Sequence, residues 1–308
     1  KESWTLMKIK GIITAMVTPL SEDGINEAAT RKLVNKLIND GVHGLFVLGT
    51  NGEFYALSEA EKLALVEIVV DEAAGRVPVF AGSGGISTEE VIKVTNQFAE
   101  LGVDAVSVIT PYLIKLSDEE LIQHYQTIAL NTNLPMILYN IPANTQLSIN
   151  ESVFKELIQL PQIIGIKDSS GKLENIQMYL EMNDREDFSI LIGSDSLILP
   201  ALQMGVDGAV AATSNVLTKT DLGIYQAFLE NKMERAQVLQ ESINDFRGIL
   251  KLATVPSVLK HSLELIGFPV GAPKNPVRKV SSKFDAEICE TLSKYKEIEG
   301  MEKLKCEN

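Results

Sequence analysis

Gly102-Val103-Asp104-Ala105-Val106-Ser107-Val108-Ile109 is one of three stretches built to the same plan. Gly41-Val42-His43-Gly44 leads into Leu45-Phe46-Val47-Leu48, and Gly205-Val206-Asp207-Gly208 leads into Ala209-Val210-Ala211-Ala212. Each follows a helix-like stretch. The glycine suits the left-handed residue that ends a helix, and the apolar run suits a strand buried on both faces. Two more apolar runs, Val77-Pro78-Val79-Phe80 and Leu134-Pro135-Met136-Ile137, open with proline, which strands tolerate at their first positions. Filling in between these anchors gives strands near 11–18, 44–48, 77–82, 105–109, 135–139, 163–167, 189–192 and 208–212.

Helical patterns separate the strands. Ser58-Glu59-Ala60-Glu61 is a helix start, with Leu63, Val66, Val69 and Val70 behind it at helical spacing. Ser117-Asp118-Glu119-Glu120 opens another. Strictly alternating strands and helices imply parallel strands joined by right-handed crossovers. Eight such units point to an α/β fold, a closed (β/α)8 TIM barrel. An open doubly wound sheet is the alternative, but no dinucleotide-binding fingerprint supports it. After the eighth strand, 219–250, 254–266 and 281–299 carry amphipathic patterns, broken by Gly267-Phe268-Pro269 and Gly271-Ala272-Pro273. The expected organisation is a barrel over 1–218 and a C-terminal helical extension over 219–308, as one continuous unit.

The chain has 308 residues, 45% of them apolar and 22% charged, an ordinary globular composition that supports a large core. A net charge of −13 excludes the basic footprint of nucleic-acid binding and disfavours anionic membranes. No apolar run is long enough to span a bilayer, and residues 1–10 lack a signal-peptide core. The two cysteines, Cys289 and Cys306, have no metal-ligand spacing and read as thiols of a reducing, cytoplasmic compartment. His43, His124 and His261 are scattered and read as structural. No cofactor or metal is expected.

The chemistry is expected at the strand ends. Ile163-Ile164-Gly165-Ile166-Lys167 reads as a buried strand ending in a lysine, and Asp168-Ser169-Ser170-Gly171 as a turn that caps a following helix. The preceding strand, Met136-Ile137-Leu138-Tyr139-Asn140, ends in a tyrosine. In barrels of this kind the strand ends line the functional face. Apolar surroundings penalise the charged ammonium, and the neutral amine attacks ketones and aldehydes. A tyrosine beside it can pass protons. The second strand runs into Gly49-Thr50-Asn51-Gly52-Glu53, whose glycines suit close backbone approach to a ligand and whose polar groups suit a carboxylate. Gly82-Ser83-Gly84-Gly85 reads as a flexible turn. The fourth strand leads to Thr110-Pro111-Tyr112-Leu113.

Three of these phrases, Gly49-Thr50-Asn51-Gly52-Glu53, Tyr139-Asn140-Ile141-Pro142 and Gly165-Ile166-Lys167-Asp168, occur together in order. The chain thereby resembles the dihydrodipicolinate synthase / N-acetylneuraminate lyase family of pyruvate-dependent class I aldolases, from Gly11 to about residue 295. The resemblance implies a (β/α)8 barrel with a helical C-terminal extension, a homotetramer built as a dimer of dimers, and pyruvate plus an aldehyde as substrates. It implies that Lys167 is the Schiff-base lysine, Tyr139 the proton-relay tyrosine, and Thr50 with Asn51 the pair holding the pyruvate carboxylate. It also implies that the Val210 carbonyl faces bound pyruvate. Gly49 and Tyr112 join the candidate substrate-binding set.

The chain departs from the family pattern in places that bear on the aldehyde. Asn144 stands where dihydrodipicolinate synthases carry an arginine for the second carboxylate, and Leu113 stands where they carry a second tyrosine. Sialic acid lyases use polar residues after the last two strands. Asp195 fits that pattern, while Ser196 and Ala212 do not. The best-matching pattern is that of 2-keto-3-deoxygluconate-type aldolases, which lack the arginine and carry a lysine like Lys115. The expected reaction is therefore cleavage or formation of a 2-keto-3-deoxy sugar acid, with Thr145, Asp195, Ser196 and Ser214 meeting its hydroxyls and Asn144 a substrate-binding candidate in place of the arginine. The alternatives are dihydrodipicolinate synthase, N-acetylneuraminate lyase and a non-catalytic 2-oxo acid sensor, the last disfavoured by retention of Lys167 and Tyr139.

Overall fold

The computed structural model describes residues 8–302 and 304–306. Eight parallel strands close into a barrel: β1 Gly11–Ala15, β2 Gly44–Val47, β3 Val79–Gly82, β4 Ala105–Ile109, β5 Met136–Asn140, β6 Ile163–Asp168, β7 Ser189–Ile192 and β8 Gly208–Ala211. Every strand matches its expected position to within a few residues. The first expected strand overran by three: Met16, Val17 and Thr18 lead instead toward a short antiparallel hairpin, Leu20–Ser21 with Gly24–Ile25.

The strands are buried along nearly their whole length, as their unbroken apolar sequences require. The recurrent glycines end helices. Gly41, Gly102 and Gly205 adopt φ of 103°, 86° and 110°, values at which a Cβ is strained. Ser58 and Ser117 each form a full capping box, with Glu61 and Glu120 reaching back to the cap N–H.

The described chain divides into two compact units. One holds residues 80–210 with the run up to Gly11, and the other holds 12–79 with 211 onward. The segment after Thr218 therefore shares a unit with β2. Its pattern over 219–250 is two helices, Thr218–Leu229 and Met233–Ile249. The break falls at Asn231, which turns left-handed (φ 57°) while Lys232 N–H bonds back to Ala227 O. Helices Ser257–Leu265 and Asp285–Ser293 and the short turn Lys296–Glu299 follow.

Three local expectations are corrected. Gly82–Gly85 is packed rather than loose: a Cβ on Gly84 would lie 2.6 Å from the Ile109 backbone N. The Asp168–Gly171 turn does not cap the next helix, which starts at Leu173 with Lys172 in the cap position and no side-chain cap bond. Asp168 instead accepts from Ser170 N–H at 3.0 Å, so its carboxylate closes the turn itself. The cysteines are not free thiols: Cys289 and Cys306 form a disulfide, which a reducing compartment does not favour.

The disulfide ties helix Asp285–Ser293 to a C-terminal stretch in which Leu304 is buried and Lys305 N–H bonds to Leu265 O. Seventeen residues of separation set the scale of its effect. Chain-entropy reasoning gives up to about 3 kcal/mol. Reductant is expected to lower the melting temperature by several degrees, checked by thermal unfolding with and without dithiothreitol. An unchanged melt would mean that Leu304 and the backbone bond hold this stretch unaided.

Among the described residues no helix is long and apolar enough to cross a membrane. The histidines have structural partners. His43 Nδ1 accepts from Ile12 N–H, His124 bonds to Thr88 Oγ1, and His261 pairs with Asp285. Burial pushes His124 down to about 4.

Candidate active site

β5 and β6 are hydrogen-bonded neighbours, and their register sets Tyr139 beside Lys167 and Asn140 beside Asp168. Lys167 and Tyr139 are 5% and 4% exposed. Nζ of Lys167 lies 4.0 Å from the centroid of the Tyr139 ring. That places the amine over an aromatic face in a setting with little water.

The next pair along fixes these strand ends. Asn140 Nδ2 donates to Asp168 Oδ2 at 2.7 Å, and its side-chain Oδ1 accepts from Ile149 N–H at 2.9 Å. Asp168 Oδ1 also accepts from the Ser170 hydroxyl at 2.5 Å. Asn140 and Asp168 are fully buried, so leaving either unpaired would carry the full desolvation cost. The lysine also has a wall. A Cβ on Gly193 would lie 2.9 Å from Lys167 Cε and 2.1 Å from Ser169 Oγ. No side chain fits at 193 without moving the lysine or Ser169.

The other candidates in this unit fall into two groups. Val210 is buried in β8, Asp195 and Ser196 are half-buried in the turn Asp195–Leu197, and Tyr112 is half-buried after β4. Burial, with Glu90 adding to it, pushes the Tyr112 phenol up. Leu113 is 89% exposed in a left-handed conformation, with Ile114 exposed beside it. Asn144 is exposed on the short helix Pro142–Thr145. Thr145 differs from the rest. Its hydroxyl accepts from Thr110 Oγ1 at 2.8 Å and lies 3.2 Å from Leu147 O, so the fold engages it.

In the other unit, β2 runs into the Gly49–Glu53 turn. Gly52 N–H bonds to Gly49 O at 3.0 Å and Glu53 N–H to Thr50 O at 3.2 Å. Thr50 and Asn51, at its tip, are half-buried. The glycines answer to the chain itself: a Cβ on Gly49 would lie 2.6 Å from Phe46 Cε1, and one on Gly52 would lie 2.9 Å from Leu48 N. Ser214 is fully buried and hydrogen-bonded to Thr14, so its hydroxyl, like that of Thr145, is engaged by the fold.

Sequence reading missed three groups. Asn140 and Asp168 sat inside the quoted phrases, and two buried polar residues directly after Tyr139 and Lys167 were the available signal. Gly193 carried no local signal, because its need arises from a side chain on the neighbouring strand. Lys260, described below, also escaped notice.

A closed α/β barrel with a buried lysine at the end of one strand, set over a tyrosine from the neighbouring strand, is the build of a carbon–carbon lyase working through a lysine Schiff base. The model of the dihydrodipicolinate synthetase family matches residues 8–295, and the chain belongs to that family. A 4-hydroxy-tetrahydrodipicolinate synthase of Halalkalibacterium halodurans is 39% identical over 92% of this chain and 96% of its own. A dihydrodipicolinate synthase structure from Bacillus anthracis superposes with a TM-score of 0.90 at 34% identity, covering 94% of this chain and 99% of that one. YagE of Escherichia coli, a member of the same family solved in complex with pyruvate, gives 0.87 at 27% identity over 94% and 98%. The chain is a pyruvate-dependent class I aldolase.

Proposed function

We propose that the protein joins pyruvate to an aldehyde, or runs the reverse cleavage, through a Schiff base on Lys167. One observation carries the reading: the buried Lys167 amine lies over the ring of its register partner Tyr139. The neutral amine attacks the pyruvate ketone, and loss of water leaves an iminium. The iminium withdraws electrons from the adjacent methyl group, which gives up a proton and becomes an enamine. The enamine carbon attacks the aldehyde carbonyl, and water then releases the product and regenerates the amine. Tyr139 moves the protons. Thr50 and Asn51 hold the pyruvate carboxylate, and the Val210 carbonyl faces the bound acid. Lys167 sits at the C-terminal end of β6, where barrels of this class place their chemistry.

For the aldehyde, the comparisons reverse the order expected from the sequence. The relatives are named as synthases, so condensation with aspartate semialdehyde becomes the first reading. Asn144 keeps cleavage of a neutral-tailed 2-keto-3-deoxy sugar acid as the second. An asparagine cannot make the charge-assisted pair with a second carboxylate that an arginine makes, a difference of about 1.5–3 kcal/mol. Thr145 and Ser214 are withdrawn from the sugar-binding set, because the fold engages their hydroxyls. A panel assay decides. Turnover of pyruvate with aspartate semialdehyde is expected to exceed pyruvate release from any keto-deoxy sugar acid, and the opposite ranking would establish the second reading.

We further propose a homotetramer, a dimer of dimers. Exposed Leu113 and Ile114 are apolar side chains that an interface would cover. Sedimentation velocity with the wild-type chain tests the assembly.

A further inference from the structure

Glu53 and Lys260 form an ion pair with no part in the chemistry described so far. Glu53 Oε2 lies 3.0 Å from Lys260 Nζ, and both side chains are 1% exposed. Burying two charges is costly, so such a pair is weak evidence for stability and is better attested as a device that fixes one arrangement. Every N–H of the ammonium has a partner. Besides Glu53 it donates to Thr18 O and Ala272 O, each at 2.9 Å. Burial lowers the Lys260 amine from its ordinary value, while Glu53 opposes that shift. The other oxygen of Glu53 accepts from Lys274 N–H at 2.6 Å.

What this network holds is the turn after β2. Leu48 and Glu53 bracket that turn, and both are left-handed, with φ of 60° and 59°. Side chains rarely adopt that region, and the surroundings must enforce it. Thr18 Oγ1 donates to Gly52 O at 2.6 Å, one residue before Glu53. The turn carrying Thr50 and Asn51 is therefore pinned at its far end by groups from Thr18, from helix Ser257–Leu265 and from the strand-less run 272–274.

We propose that Glu53 and Lys260 are positioning residues, a buried latch through which the C-terminal segment sets Thr50 and Asn51 to receive the substrate carboxylate. The inference rests on the carboxylate role given to Thr50 and Asn51 above. A purely structural pair would serve the fold alone, and the two cases differ in what happens to a ketone that has no carboxylate.

The test uses the full chain and borohydride trapping, with the adduct on Lys167 quantified by peptide mass spectrometry across concentrations of pyruvate or acetone. Glu53→Gln is expected to raise the pyruvate concentration for half-maximal trapping about tenfold or more, and to leave acetone trapping within about twofold. Lys260→Met is expected to show the same selective shift. The double variant Glu53→Gln with Lys260→Met removes both buried charges, so a folded chain can be read even where one unpaired charge unfolds it, and it too is expected to lose pyruvate selectively. Equal weakening toward pyruvate and acetone overturns the inference, as does an unchanged pyruvate profile in a folded variant. If the wild-type chain forms no pyruvate adduct at Lys167, the Schiff-base reading itself falls and takes the latch with it, an outcome distinct from a variant that traps normally.

Discussion

Lys167→Arg is expected to abolish turnover, by about 10⁴-fold or more, the scale on which enzymes lose rate when their nucleophile is removed. Arginine keeps the positive charge but stays protonated, so it offers no lone pair to a ketone. With pyruvate and borohydride, the wild-type chain is expected to carry a reduced adduct on the peptide containing Lys167, and the variant none. The Lys167 side chain is buried, and Gly193 abuts its Cε, so circular dichroism must show that the larger guanidinium leaves the barrel folded. Lys167→Met supplies a second, slimmer variant without an amine. An adduct on a different lysine in the wild-type chain would move the chemistry away from β6.

Much of this placement is legible in the sequence. Three glycine-led apolar runs and two proline-led ones gave the strand positions, because both signals are local: a left-handed helix end and a doubly buried strand. Lys167 and Tyr139 could be set at strand ends for the same reason. Their adjacency could not, since it depends on the register of β5 against β6, which is shifted by an irregularity at Met136 and Ile137. The harder cases involve partners far apart in the chain. Glu53 and Lys260 are 207 residues apart and Thr14 and Ser214 are 200 apart, and no sequence period links such residues. The partners of the Thr145 hydroxyl lie nearer in the chain but are equally silent in the sequence: it accepts from Thr110 Oγ1 and lies 3.2 Å from Leu147 O. The cysteines were misread because their spacing excluded a metal site but said nothing about whether the chain's end returns to helix Asp285–Ser293.

Tyr139→Phe separates the two roles a tyrosine can play under Lys167. The ring packs in the barrel at 4% exposure and offers its face to the amine at 4.0 Å. Phenylalanine keeps that face and nearly the same volume, so folding is expected to survive, and the reduced pyruvate adduct is still expected to form on Lys167 given enough time. The hydroxyl alone is lost. Proton movements into and out of the iminium and enamine then fall to water, and turnover is expected to drop by about 10²-fold or more, the usual scale for an acid–base group. The comparison to make is turnover against the extent of trapping at saturating pyruvate. A fall in turnover with trapping retained assigns the hydroxyl to proton transfer. A near-normal rate would leave Tyr139 as packing only, and the relay would have to be sought elsewhere, beginning with the half-buried Tyr112 after β4, whose phenol burial already pushes up. The register that pairs Tyr139 with Lys167 is what gives the first outcome its weight, since a tyrosine one residue along either strand would point its hydroxyl away from the amine's face of the sheet.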